Sequence, residues 1–154
     1  MNGVSERALQ TVVALARACM LHALLHWPQQ FSPTLWPFAL EHAVYLYNRM
    51  PNPHHGHAPI ELFTNTKLAS YNTLQEARVW GRPVNALDRK LQDGKKVPKW
   101  NPRSHHGQFI GFSPEHASTV GRILNLATGH VSPQFHVVYD EYFSTISNPG
   151  VDLD

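Results

Sequence analysis

The sequence predicts an α+β protein: a helical N-terminal segment followed by a small region of short strands. Two observations carry this. Leu9, Val12, Val13, Ala16, Cys19, Met20, Ala23 and Leu24 recur at spacings of three and four, the period of one helical face. Beyond residue 74 that period gives way to short apolar runs separated by glycine, proline and asparagine. The switch sets an expected boundary at residue 74.

The first helix is expected to open at Asn2-Gly3-Val4-Ser5-Glu6-Arg7, with Asn2 or Ser5 as cap and Glu6 in the first turn, where a carboxylate gains from the helix dipole. Pro28 ends it. Ser32-Pro33 looks like a cap followed by proline in the first turn of a second helix reaching about Asn48, its regular part delayed by Pro37. The stretch from Pro51 to His57 is a loop, and a short helix is expected around Pro59–Phe63. Ala77-Arg78-Val79-Trp80-Gly81-Arg82-Pro83-Val84 suits a strand with an interruption, and Gln108–Phe112 suits another. Arg122, Leu124 and Leu126 alternate in a third, and Ala127-Thr128-Gly129-His130 turns into a fourth from Val131 to Tyr139. Short strands joined by turns suggest a small barrel or sandwich.

With 42% hydrophobic and 16% charged residues, the 154-residue chain is globular in composition and long enough to bury a core. The apolar stretches are interrupted by Arg17, His22 and His26, and no membrane-spanning segment or secretory leader is expected. The single Cys19, on the apolar helix face, reads as a small buried hydrophobe compatible with a reducing compartment. The net charge of +2 conceals a polarity along the chain. Residues 1–77 balance, whereas Arg78, Arg82, Arg89, Lys90, Lys95, Lys96, Lys99 and Arg103 face only Asp88 and Asp93. From residue 104 onward Arg122 faces five carboxylates. The basic centre suits a polyanion, or else is a solvated loop whose charges do nothing specific.

Within it, Lys95, Lys96, Lys99 and Arg103 are the candidates for phosphate contact, with Trp80 and Trp100 as aromatic company; Trp80, in an apolar context, is expected in the core. Eleven histidines, including His54, His55, His57, His105 and His106, form no finger-like zinc pattern, and His22 and His42 are expected to be packing or surface residues rather than catalytic bases. Asp140 and Glu141 are neighbours whose side chains would point to opposite faces of a strand, poorly placed to share a metal.

The opening Asn2-Gly3-Val4-Ser5-Glu6-Arg7 closely resembles the segment carrying the last metal-binding glutamate of copia-type LTR-retrotransposon integrases. The likeness continues in the family's order. Phe31-Ser32-Pro33-Thr34-Leu35-Trp36, Ala43-Val44-Tyr45-Leu46-Tyr47-Asn48-Arg49 and Ala58-Pro59-Ile60-Glu61-Leu62-Phe63 are similar to its boxes. So are Ala77-Arg78-Val79-Trp80-Gly81, Lys99-Trp100-Asn101-Pro102-Arg103-Ser104, Gly107-Gln108-Phe109-Ile110-Gly111-Phe112-Ser113 and Phe135-His136-Val137-Val138-Tyr139-Asp140-Glu141.

The resemblance implies residues 1–50 as the last helices of an RNase-H-like catalytic core, 51–73 as a linker with a short helix, 74–143 as an SH3-like β-barrel and 144–154 as a tail. It implies phosphoryl transfer with two Mg²⁺ ions held by three carboxylates, of which Glu6 is the catalytic, metal-binding one matched here. Arg7 and the four loop cations would contact DNA. With one carboxylate of three, the chain is expected to be inactive alone and to carry no Mg²⁺ by itself. The expected partners are DNA, the rest of an integrase or a second copy, with no membrane and no small-molecule substrate; the expected location is the nucleus. The competing reading is a non-enzymatic SH3-like module that binds a protein or chromatin. If nothing covers the apolar stripe of the first helix, self-association is expected.

Overall fold

The computed structural model describes residues 2–67 and 77–146. The expected boundary at residue 74 and the end of the expected tail lie outside them. Helix α1 spans Gly3–His26, with Asn2 at the cap position but without a side-chain cap bond; the Glu6 N–H instead reaches the Asn2 carbonyl at 3.2 Å. Trp27 closes it by donating to the Ala23 carbonyl at 2.8 Å, and Pro28 has no N–H to continue. Ser32 accepts from the Thr34 N–H ahead of a 3₁₀ turn, Pro33–Leu35. Helix α2, Trp36–Arg49, then carries Pro37 in its first turn, where no donor is needed. Helix α3 is Pro59–Thr64, its entry held by the Glu61 carboxylate accepting from the Ala58 N–H at 2.8 Å.

The second half is one antiparallel sheet: β1 (Pro83–Leu87), a one-turn helix α4 (Arg89–Gln92), β2 (Ser104–Phe112), β3 (Gly121–Asn125), β4 (Val131–Gln134) and β5 (Val137–Tyr139), in the order β4-β3-β2-β1-β5. Three expectations need correction. Residues 77–82 are not strand: Gly81 adopts φ +81° and turns the chain, so β1 starts at Pro83. The strand expected from Val131 to Tyr139 is two strands on opposite edges. And the sheet does not close into a barrel, because among the described residues no ladder joins β4 to β5.

The sheet is nevertheless strongly coiled. Five flat strands would set the outer two about 19 Å apart. Phe135 and His136 alone link Gln134 to Val137, three Cα steps that reach at most about 11 Å. A bulge in β2, where the register slips between Phe109 and Phe112, supplies part of the twist.

Each sheet face carries its own core. Ile110 and Trp80 pack with Val12, Ala16, Ala23 and Trp27 of the α1 region and Leu35, Ala39 and Ala43 of the α2 region, joined by Leu124, Leu126 and Val131. Inside the curl, Val84, Phe109 and Ile123 are enclosed by Phe112, Val137 and Tyr139. The alternation of Arg122, Leu124 and Leu126 is thereby explained: all three face the helices, with Arg122 paired to Glu41 of α2 and lying over the Phe38 ring. Trp80 is buried, as expected, but between helices and sheet.

The apolar stripe of α1 is only partly covered: Val12, Ala16 and Ala23 are buried, whereas Leu9, Val13, Leu21 and Leu25 are exposed. By length and composition α1 is also apolar enough to cross a bilayer, contrary to the expectation that Arg17, His22 and His26 would interrupt it. After Glu6 and Arg7 at its start, the helix carries only Arg17, His22 and His26 as interruptions, a small polar load for its length.

Helices and sheet meet most tightly at Gly81. A Cβ there would lie 2.8 Å from that of Ala23. Gly81→Ala combines this overlap with a left-handed φ and is expected to cost about 2–4 kcal/mol, measured as a lowered urea midpoint at unchanged slope.

Candidate nucleic-acid interface

The basic segment is a long loop between β1 and β2. Its base is stapled by the Asp88 N–H donating to the Arg103 carbonyl at 2.8 Å, just past the Leu87–Ser104 pair of the ladder. Asp88 also caps α4, accepting from the Lys90 N–H at 2.8 Å, and the Lys95 N–H returns to the Lys90 carbonyl at 2.8 Å. The Gln92 amide donates to the Leu87 carbonyl and to the Gln134 side chain, tying the loop to β1 and β4. The backbone is thus held while the charged side chains stay in water.

Arg89, Lys90, Lys95, Lys96, Lys99 and Arg103 are all exposed, and none makes an ion pair with a described residue. Trp100 stands in the same loop, 91% exposed, with the Lys99 ammonium 5.9 Å from its ring centre. Trp100 thus lies outside both cores, unlike Trp80. Burying so large a ring ordinarily yields several kcal/mol, so full exposure leaves its face available to a base. The other cations of the basic segment serve the fold. Arg78 and Arg82 both bond to Glu141, at 3.1 and 3.3 Å, and Arg78 also lies over Tyr139. The structure therefore separates free from committed cations and adds Arg89 and Lys90, which share the charge-dense stretch, to Lys95, Lys96, Lys99 and Arg103.

Glu6 and Arg7 lie near the start of α1, both exposed, and neither side chain bonds to a described residue. Mg²⁺ needs several oxygen ligands, and among the described residues no three His, Cys, Asp or Glu side chains are placed to hold a metal. Glu6 with its described surroundings does not fit the ion. Several of the other acids are occupied: Glu41 by Arg122, Glu141 by Arg78 and Arg82. Asp140 accepts from the Thr145 N–H and hydroxyl, the Ser144 hydroxyl and the Tyr142 N–H, which hold its carboxyl well below the usual carboxylate range.

Along 97% of its length the chain is 30% identical to the retrovirus-related Pol polyprotein from transposon RE2 of Arabidopsis thaliana. Along 96% it is 29% identical to that from transposon RE1 of the same plant. The chain is distantly related to retrotransposon Pol polyproteins. It spans about 9% of the length of these curated relatives. No family model matches it, and no solved structure does.

Of the two positions open to His42, packing or surface, it takes the first: it is buried against Tyr45, Phe109 and Phe112, and its Nδ1 has no partner among the described residues. Burial lowers its pKa to about 4, against a smaller opposing pull from a main-chain hydrogen bond at Arg78. Between that value and the ordinary 6.5 the unfolded chain binds a proton the folded one refuses, so stability falls as pH drops through this window. The loss should reach roughly 3 kcal/mol at its lower end, followed by urea unfolding, with an NMR titration of His42 to confirm the source.

In the loop, Trp100→Ala should weaken single-stranded nucleic-acid binding by about 1–3 kcal/mol while leaving the thermal midpoint unchanged, checked by fluorescence anisotropy beside a melting curve.

Proposed function

We propose that this chain corresponds to the integrase region of a retrotransposon polyprotein and that its own contribution there is to grip nucleic acid through the β1–β2 loop. The observation that carries the reading is the presence of six cations without a described ion-pair partner and an uncovered tryptophan on one loop whose backbone is stapled at its base. Side chains that already avoid carboxylates lose no internal ion pair on meeting phosphate; they release counterions instead, and that release drives binding. Nothing in the loop is arranged to read base edges, so the grip is on backbone and exposed bases.

In this reading Glu6 takes part in Mg²⁺ chemistry only beside carboxylates from outside the described residues, and the chain's contribution to DNA strand transfer is to hold the substrate. The competing role, a protein-binding module, is favoured by one observation, the exposed apolar side of α1 with Leu9, Leu21 and Leu25.

Salt dependence separates the two. Affinity for a duplex should fall steeply between low and physiological salt. Replacing Lys95, Lys96, Lys99 and Arg103 together with alanine should flatten the slope of log K against log salt by up to about 3–4, and melting should be unaffected. Binding that ignores salt, or a slope untouched by the four replacements, would overturn the nucleic-acid reading.

A further inference from the structure

A second recessed region lies at the opposite end of β2 from the basic loop. It is a cleft of about 590 Å³ between α2 and the β2–β3 connection. Tyr45 and Phe112, with ring centres 4.9 Å apart, form an aromatic wall continued by Leu40 and Val44. Arg49 lies over Tyr45, its guanidinium carbon 3.7 Å from the ring centre, and no described carboxylate pairs with it. On the other side the Ser113 hydroxyl and His116 Nδ1 share a 2.7 Å hydrogen bond. Arg122 also lines the cleft, but it is committed to Glu41 and to the Phe112 carbonyl. The wall therefore carries one uncompensated positive charge, a hydroxyl–imidazole pair and an aromatic surface.

We infer that this cleft takes a single unpaired nucleotide, its base against the Tyr45–Phe112 wall and its phosphate between Arg49 and the Ser113–His116 pair. The size is right: small-ligand sites run from about 300 to 1,000 Å³, whereas a lone phosphate would leave most of this volume empty. The chemistry is right as well, because a planar guanidinium held on an aromatic ring offers donors to phosphate and a flat face to a base. A base pair within a stacked duplex cannot enter a concave site of this kind, so the cleft selects unpaired ends or single strands. The inference deepens the nucleic-acid reading but rests on different residues. β2 runs nine residues from Ser104 to Phe112, separating cleft and loop by about 26 Å along the strand.

The test uses the full chain and two probes. Deoxyadenosine monophosphate, titrated at millimolar concentration and followed by NMR, should shift the resonances of Tyr45, Arg49, Phe112 and His116 and spare those of Lys95–Arg103. With a labelled ten-nucleotide single strand, Arg49→Gln should weaken binding about tenfold while duplex affinity changes less than twofold. The four-alanine loop variant should weaken both. His116→Ala, at an exposed position, provides a second variant if Arg49→Gln alters the melting curve. Oligonucleotides that bind in a loop-dependent way, with no cleft shifts and no effect of either cleft variant, would overturn this inference and leave the nucleic-acid reading standing. Cleft shifts with the mononucleotide but no oligonucleotide binding at low salt would do the reverse.

Discussion

The contact on which the architecture depends is the meeting of Ala23 and Gly81. The Gly81 N–H donates to the Phe109 carbonyl at 2.7 Å, fixing the glycine to β2, while the Trp27 indole N–H donates to the Gly81 carbonyl at 2.7 Å, fixing it to the end of α1. One residue thus joins the helical layer to the sheet through both of its main-chain polar groups. No side chain can stand between, because Ala23 already fills the space a Cβ would need. The consequences spread outward. Trp80, the neighbour of Gly81, is driven between helices and sheet, and the turn at Gly81 lets β1 begin at a proline. A proline lacks the donor a ladder needs, and here its carbonyl still serves by accepting from the Asp140 N–H at 3.0 Å.

Coiling then decides where the candidate surfaces lie. With only Phe135 and His136 between β4 and β5, the outer strands are drawn towards each other and a second small core forms inside the curl. A flat sheet would leave that face, with Val84, Phe109 and Ile123, open to water. β2, the longest strand and the centre of the order, becomes the axis of the molecule. The basic loop projects from its start and the aromatic cleft lies at its end, so one rigid element sets the distance between two polar regions of different chemistry.

Much of this was legible in the sequence because local rules and packing agree. The α1 helix, the Ser32-Pro33 entry, the short turn that delays the regular part of α2 and the Ala127–His130 turn are each local, and each forms as expected. What escaped is non-local. Nothing in the run from Val131 to Tyr139 says that it breaks into two strands on opposite edges, since that choice belongs to the partners β3 and β1. The absence of a closing ladder is likewise a property of the whole sheet. Trp80 and Trp100 both lie near lysine or arginine in sequence, yet one is buried and the other exposed, and the difference lies in what covers them. The candidate site was legible as a charge tally and illegible as a surface, because Arg78 and Arg82 are counted alike with Lys95 until Glu141 is seen to hold them.

That division of labour among the cations gives the interface its physical logic. Arg78, Arg82 and Arg122 each donate to a carboxylate distant in sequence, and Arg78 and Arg122 also lie over the Tyr139 and Phe38 rings. Removing any of them should disturb the fold before it disturbs a ligand. The loop cations are mainly lysines, compact strongly hydrated charges with no internal partner, carried on a backbone stapled between Asp88 and Arg103. Their mutual repulsion is relieved only by water and counterions, and a phosphate chain relieves it better. In the proposed nucleic-acid role, a loop stapled at its base requires little ordering on meeting a polyanion, which leaves most of the electrostatic gain available for binding.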